Sequence, residues 1–99
     1  MEMRTQSIDG QEIIHLSGEF TISSAMEDKQ LLMEILATHD EIILDLEKIT
    51  DFDSAGFQLL LSLEKSSSQL GKQFSICKLS DAANNVFSIY GIKQIIPAI

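Results

Sequence analysis

A single cysteine, Cys77, excludes an internal disulfide, and no CxxC, HxxxH or HExxH pair marks a zinc site. Such sparse cysteine suits a reducing, cytosolic setting. Basic residues are scarce too: seven Lys and Arg stand against 15 Asp and Glu, leaving a formal charge of −8. That balance repels the phosphates of DNA, RNA and anionic lipid, so no nucleic-acid partner is expected. No run approaches the roughly 18 apolar residues of a membrane span. The opening residues, MEMRTQSIDG, also lack the basic-then-apolar order of a signal peptide. The expectation is a cytoplasmic protein without direct membrane insertion. A glycine-rich P-loop and a GxSxG elbow are both absent, so neither an ATP cradle nor a hydrolase nucleophile is visible. His15 falls in a strand-like stretch and His39 in a turn, where packed or solvated imidazoles are commoner than catalytic bases. The chain reads as non-enzymatic and without a cofactor.

With one proline, no repeat and no low-complexity linker, residues 1–99 read as one domain. The 44% hydrophobic content suffices for a globular core. Asp9 and Gly10 form a turn pair between a short strand from about Met3 to Ile8 and the β-branched stretch "QEIIHL" at 11–16. Beyond Gly18, Leu32, Ile35 and Leu36 recur at helical spacing behind Ser23 or Ser24 as N-cap, with Glu27 in capping-box position for Ser24. "EIILDL" at 41–46 shows little alternation, the pattern of a strand covered on both faces. Gly56, Leu59, Leu60, Leu63, Ser67 and Leu70 trace a second helix that Gly71 stops. "KQFSICKL" then reads as a strand with Phe74, Ile76 and Leu79 turned one way, with Cys77 as a small buried hydrophobe. Ser80 opens a third helix whose Ala83, Val86, Phe87 and Tyr90 share a face, closed by Gly91, and "KQII" makes a last short strand. Strands alternating with helices favour parallel crossovers. The expected fold is α/β: a mixed, mostly parallel sheet of four to five strands, with an antiparallel edge from the amino-terminal hairpin.

Within that frame "TDFDSAGF" places Ser54 just past the buried strand, at the first turn of the second helix. A helix start exposes unpaired N–H groups and partial positive charge, so a serine there caps the helix and a phosphate there is favoured. Position alone leaves two readings open, a cap or a modification site. Asp51 and Asp53 read as turn residues. Phe20, Ile22, Phe52 and Phe57 surround this turn in sequence, either as core or as an apolar dock about the serine.

Four dispersed stretches together resemble the STAS family of anti-sigma factor antagonists: "LSGEF" at 16–20, Asp45 in its apolar strand, "DSAG" at 53–56, and "LGKQFSICKLSDAANNVFSIYGIKQII". The likeness runs from about Ile13 to Ile96. It implies phosphorylation at Ser54 by a GHKL-type serine kinase that is itself an anti-sigma factor, and reversal by a PP2C-type phosphatase. It further implies a partner-binding surface drawn from Gly18, Glu19, Phe20, Thr21, Asp53, Ala55, Gly56 and Phe57, with Gly56 admitting a partner backbone. Two other roles follow from the same resemblance: the STAS subunit of a phospholipid-trafficking ABC transporter, or a signalling protein beside a chemoreceptor.

Overall fold

Asp9 and Gly10 both take positive φ, 51° and 80°, and fold the strand Glu2–Ile8 (β1) back on Gln11–Phe20 (β2) as an antiparallel hairpin. A computed structural model describes residues 1–90. The expected closing residue Gly91 and the strand "KQII" lie outside them. After β2 come a 3-10 turn, Ile22–Ser24, and the helix Ala25–Thr38 (α1). Then follow Glu41–Phe52 (β3), Ser54–Gln69 (α2), Gln73–Leu79 (β4) and Asp81–Tyr90 (α3). The sheet order is β1-β2-β3-β4, with β2, β3 and β4 mutually parallel, so the expected α/β fold with a mixed, mostly parallel sheet is the observed one.

Ile42 to Leu46 of β3 are all buried; since successive residues of a strand face opposite ways, both faces of this strand are covered. Strand β2 is longer than its apolar run suggested. It continues through "LSGEF", where Gly18, at φ 92°, absorbs a register shift against β3 and the ladder resumes at Glu19 opposite Asp51. Strand β4 uses a similar device. Leu44 pairs Ile76 but Asp45 pairs Lys78, so one extra residue is inserted at Cys77. That bulge reverses the alternation, and Phe74, Ile76 and Leu79 accordingly lie opposite Ile42, Leu44 and Leu46 on the core side. Cys77 is therefore half-buried rather than part of the core. Its burial and then the Asp45 carboxylate push the thiol up from its ordinary value.

Capping departs from expectation at α1. Ser24 donates to the buried Asp28 carboxylate at 2.6 Å and accepts from Thr21 N–H at 3.2 Å, so its partner is Asp28 and not Glu27. Asp28 also faces the Met1 amine at 3.2 Å. At α3, Ser80 is the cap, accepting Ala83 N–H at 3.1 Å. The buried stripe of α2 is Gly56, Phe57, Leu60, Leu63 and Ser67; Leu70 is exposed and Leu59 half-buried, because Phe57 takes the inward place at the start of the helix.

Candidate functional site at the start of α2

Asp53, not Ser54, caps α2. One carboxylate oxygen accepts Gly56 N–H at 3.1 Å, and the other accepts Ile22 N–H at 3.0 Å, tying the 3-10 turn that precedes α1 to the start of α2. The Asp-x-x-Gly spacing carries that signal, since aspartate is among the best N-caps and its acceptor reaches the N–H three residues on. Burial by itself raises the Asp53 value, but the N–H groups of Ile22, Gly56 and Ala55, with its own, outweigh it and hold the carboxyl below the ordinary 3.8. A depressed folded-state value means that this carboxylate stabilises the fold above that ordinary value, and that the contribution is lost as pH falls through the lowered one. Asp53→Ala should therefore cost about 1–2 kcal/mol at pH 7 by urea unfolding. The gap to wild type should narrow below about pH 4, where the wild-type carboxyl takes up its proton. A gap independent of pH would mean that the charge of Asp53 does not hold the cap.

Relieved of capping, Ser54 stands exposed as the first helical residue, and no hydrogen bond engages its hydroxyl among the described residues. Free helix N–H groups and the helix dipole favour added negative charge here. The neighbouring side chains oppose it. Glu19 and Asp51, both exposed, pair across β2 and β3, and Asp53 follows two residues on. Thr21 donates to Glu19 at 2.6 Å, which holds that carboxylate at the same end of the sheet. A phosphate on Ser54 would thus be stabilised by its own helix while intensifying an acidic surface.

Below the serine lies an aromatic cluster. Phe20 meets Phe52 edge-on at 5.4 Å, Phe52 stacks on Phe87 at 5.9 Å, and Phe57 lies between Phe87 at 5.1 Å and Tyr90 at 4.5 Å. Phe20 and Phe57 are wholly buried. Their side chains anchor the sheet end and α2, which is the core reading of the two left open for them. Gly56 also packs inside. It is buried, and a β-carbon there would overlap the Phe20 carbonyl oxygen and stand 2.9 Å from Cε1 of Phe52. The close approach that requires glycine here is to the protein's own β2. Gly18 and Thr21 are half-buried and Glu19 exposed, while Ala55 is half-buried beside Ser54. Of the four aromatic and aliphatic candidates around the turn, only Ile22 is largely solvent-facing, at 73%.

A polar pair within the sheet escaped the sequence reading. His15 Nδ1 lies 2.7 Å from the buried Asp45 carboxylate and Nε2 lies 3.0 Å from Gln6, while Asp45 also accepts Glu47 N–H at 2.8 Å. Two polar residues inside apolar strands were the available signal: a buried carboxylate is tolerated only with such partners. No group of three or more His, Cys, Asp or Glu is arranged to hold a metal among the described residues. Nor is any described helix long and apolar enough to cross a membrane.

Among the described residues, a four-stranded mixed sheet whose second helix opens on an exposed serine, braced by an aspartate cap and a glycine packed on the preceding strand, defines a small α/β domain. The chain belongs to the STAS domain family: a family profile described as "Mlab, STAS domain" matches residues 3–97. A candidate anti-sigma factor antagonist of Bordetella bronchiseptica, BtrV, is 30% identical over 101 residues, covering 98% of this chain and 84% of its own. Among solved structures, an anti-sigma factor antagonist from Mycobacterium paratuberculosis superposes with a TM-score of 0.80 at 17% identity, over 98% of this chain and 83% of that one. The unphosphorylated SpoIIAA gives 0.72 at 17% identity, over 99% and 88%. At these identities the two structures attest the fold.

Proposed function

We propose that this STAS domain is an anti-sigma factor antagonist whose choice of partner is set by phosphorylation of Ser54. The observation that carries the reading is the exposed Ser54 hydroxyl, without a hydrogen bond among the described residues, on a helix start that Asp53 braces, with exposed Glu19 and Asp51 paired at the ends of the two strands that lead to it. Unphosphorylated, this end of the sheet binds a GHKL-type serine kinase that is itself an anti-sigma factor. Phosphorylation adds roughly −1.5 to −2 charge to a surface that is already acidic, and repulsion together with a bulky group in the contact releases the kinase. A PP2C-type phosphatase resets the serine. The domain itself supplies no catalytic group in this scheme, and its place of action is the cytoplasm. The relative BtrV, named as a candidate anti-sigma factor antagonist, supports this role, as does SpoIIAA, which shares the fold and has been solved in a phosphorylated form.

Intact-mass measurement of the protein from its native cell tests the reading. A fraction heavier by one phosphate, mapped to Ser54 and missing in Ser54→Ala, is expected. Because Asp53 does the capping, Ser54→Ala should unfold within about 0.5 kcal/mol of wild type, the range of exposed substitutions. A chain that is never phosphorylated under any growth condition would instead fit a permanent STAS subunit of a phospholipid-trafficking transporter, and the switch would be abandoned.

A further inference from the structure

The Asp53 carboxylate serves two elements at once. Besides Gly56 N–H at 3.1 Å and the N–H of Ala55, both in the first turn of α2, it accepts Ile22 N–H at 3.0 Å from the 3-10 turn that leads into α1. Among the described residues the other hydrogen bonds of that turn are local: Thr21 N–H donates to Ser24 Oγ at 3.2 Å, Ser24 N–H to the Thr21 carbonyl at 3.1 Å, and Ser24 Oγ to Asp28 at 2.6 Å. No residue of Ile22–Ser24 is buried, and the Ile22 side chain is 73% exposed. Apolar packing therefore does little to hold the turn against α2, and the Asp53 bridge is what joins them. Ser54, exposed, is the next residue in the chain.

We infer that Asp53 relays the state of Ser54 to the Ile22–Ser24 turn: a phosphate on the serine displaces the carboxylate from its bridging position and so uncouples the turn from α2. The inference rests on the switch proposed above and adds a conformational consequence to it. Two effects act in the same direction. A phosphate brings roughly −1.5 to −2 charge and three acceptor oxygens to the first residue of the helix, where it competes for the N–H groups that Asp53 now occupies. Like-charge repulsion also disfavours a geometry in which phosphate and carboxylate, one residue apart, both sit over the helix start. The carboxylate cannot leave the helix start and keep Ile22 N–H unchanged, because its two oxygens belong to one planar group and move together. With no buried residue of its own, the turn then loosens. Phosphorylation thus alters two adjoining surfaces, the serine and the exposed Ile22 turn, where charge repulsion alone would alter one.

Phosphoserine placed at position 54 during translation, by suppression of a stop codon, gives the phosphorylated full chain without a kinase. Amide hydrogen exchange measured by NMR then compares it with wild type and with Asp53→Ala, in which the bridge is absent. In Asp53→Ala the Ile22 N–H should exchange roughly tenfold faster, the effect of losing one hydrogen bond to a charged acceptor, and in the phosphoserine protein by a similar factor. The amide of Leu44, a buried residue of the central strand β3, should exchange in the phosphoserine protein as it does in wild type. Ile22 exchange at the wild-type rate in the phosphoserine protein overturns the relay. So does equal acceleration at Ile22 and Leu44, which would mark global unfolding, or unchanged exchange in Asp53→Ala, which would show that the bridge protects nothing. If Asp53→Ala does not fold, Asp53→Asn takes its place, since its single acceptor oxygen cannot supply both bonds as the carboxylate does. Because the phosphate is installed rather than acquired, a failed relay leaves the switch standing, whereas a Ser54 never phosphorylated in the native cell removes the switch whatever the exchange rates show.

Discussion

Gly56→Ala should lower the thermal midpoint by on the order of 10 °C. Two effects compete. Alanine improves on glycine within a helix by about 1 kcal/mol. Against this, the new methyl group would overlap the Phe20 carbonyl oxygen and crowd the Phe52 ring at 2.9 Å. A flexible side chain could give way, but Phe20 is wholly buried and its backbone belongs to a ladder paired with β3, so the start of α2 must move instead. Overpacking of this kind costs about 1–3 kcal/mol, and more where backbone is the obstacle, so a net loss of about 2 kcal/mol is expected. For a domain of this size that corresponds to roughly 8–16 °C. The displacement would also move Asp53 and Ser54 off the Ile22 turn, weakening partner binding beyond the loss of stability. Calorimetric melting of the purified variant decides the point: an unchanged or raised midpoint would show that the helix start is not packed on β2.

Ser54→Asp should separate binding from stability. One carboxylate stands where a phosphate would carry nearly twice the charge, so the kinase-type partner should bind at least tenfold more weakly than it binds wild type. The thermal midpoint should stay within a few degrees, because the helix start favours the charge that Glu19 and Asp51 disfavour. Ser54→Ala should bind like the unphosphorylated wild type and hold the complex regardless of kinase activity. Titration calorimetry of the three proteins against the same partner is the test, and equal affinities for all three would place the interface elsewhere. Loss of binding in Ser54→Ala, by contrast, would make the hydroxyl itself a contact.

Whatever depends on a few neighbouring residues was legible in the sequence. The Asp9–Gly10 turn, the run Ile42–Leu46 covered on both faces, the helix after Asp53 and the Ser80 cap all follow from local backbone preference and hydrophobic period, and all are observed. The DSAG turn was legible as a helix start because a capping residue beside an apolar strand is a local pattern. Tertiary structure decided the roles within that site. Asp53 caps through the local Gly56 N–H, but its second oxygen ties that cap to Ile22 N–H, 31 residues earlier in the chain. Gly56 is required by the Phe20 carbonyl, and Phe20 and Phe57 turn inward because Phe52, Phe87 and Tyr90 complete a cluster assembled from four separate elements. The His15–Asp45 pair and the bulge at Cys77 likewise exist only once parallel strands are in register. Periodicity identifies an apolar face. Which apolar residues stay outside it, as Ile22, Met26 and Met33 do, is settled by how much surface the neighbouring helix covers, because burial depends on long-range packing that no local window of sequence contains.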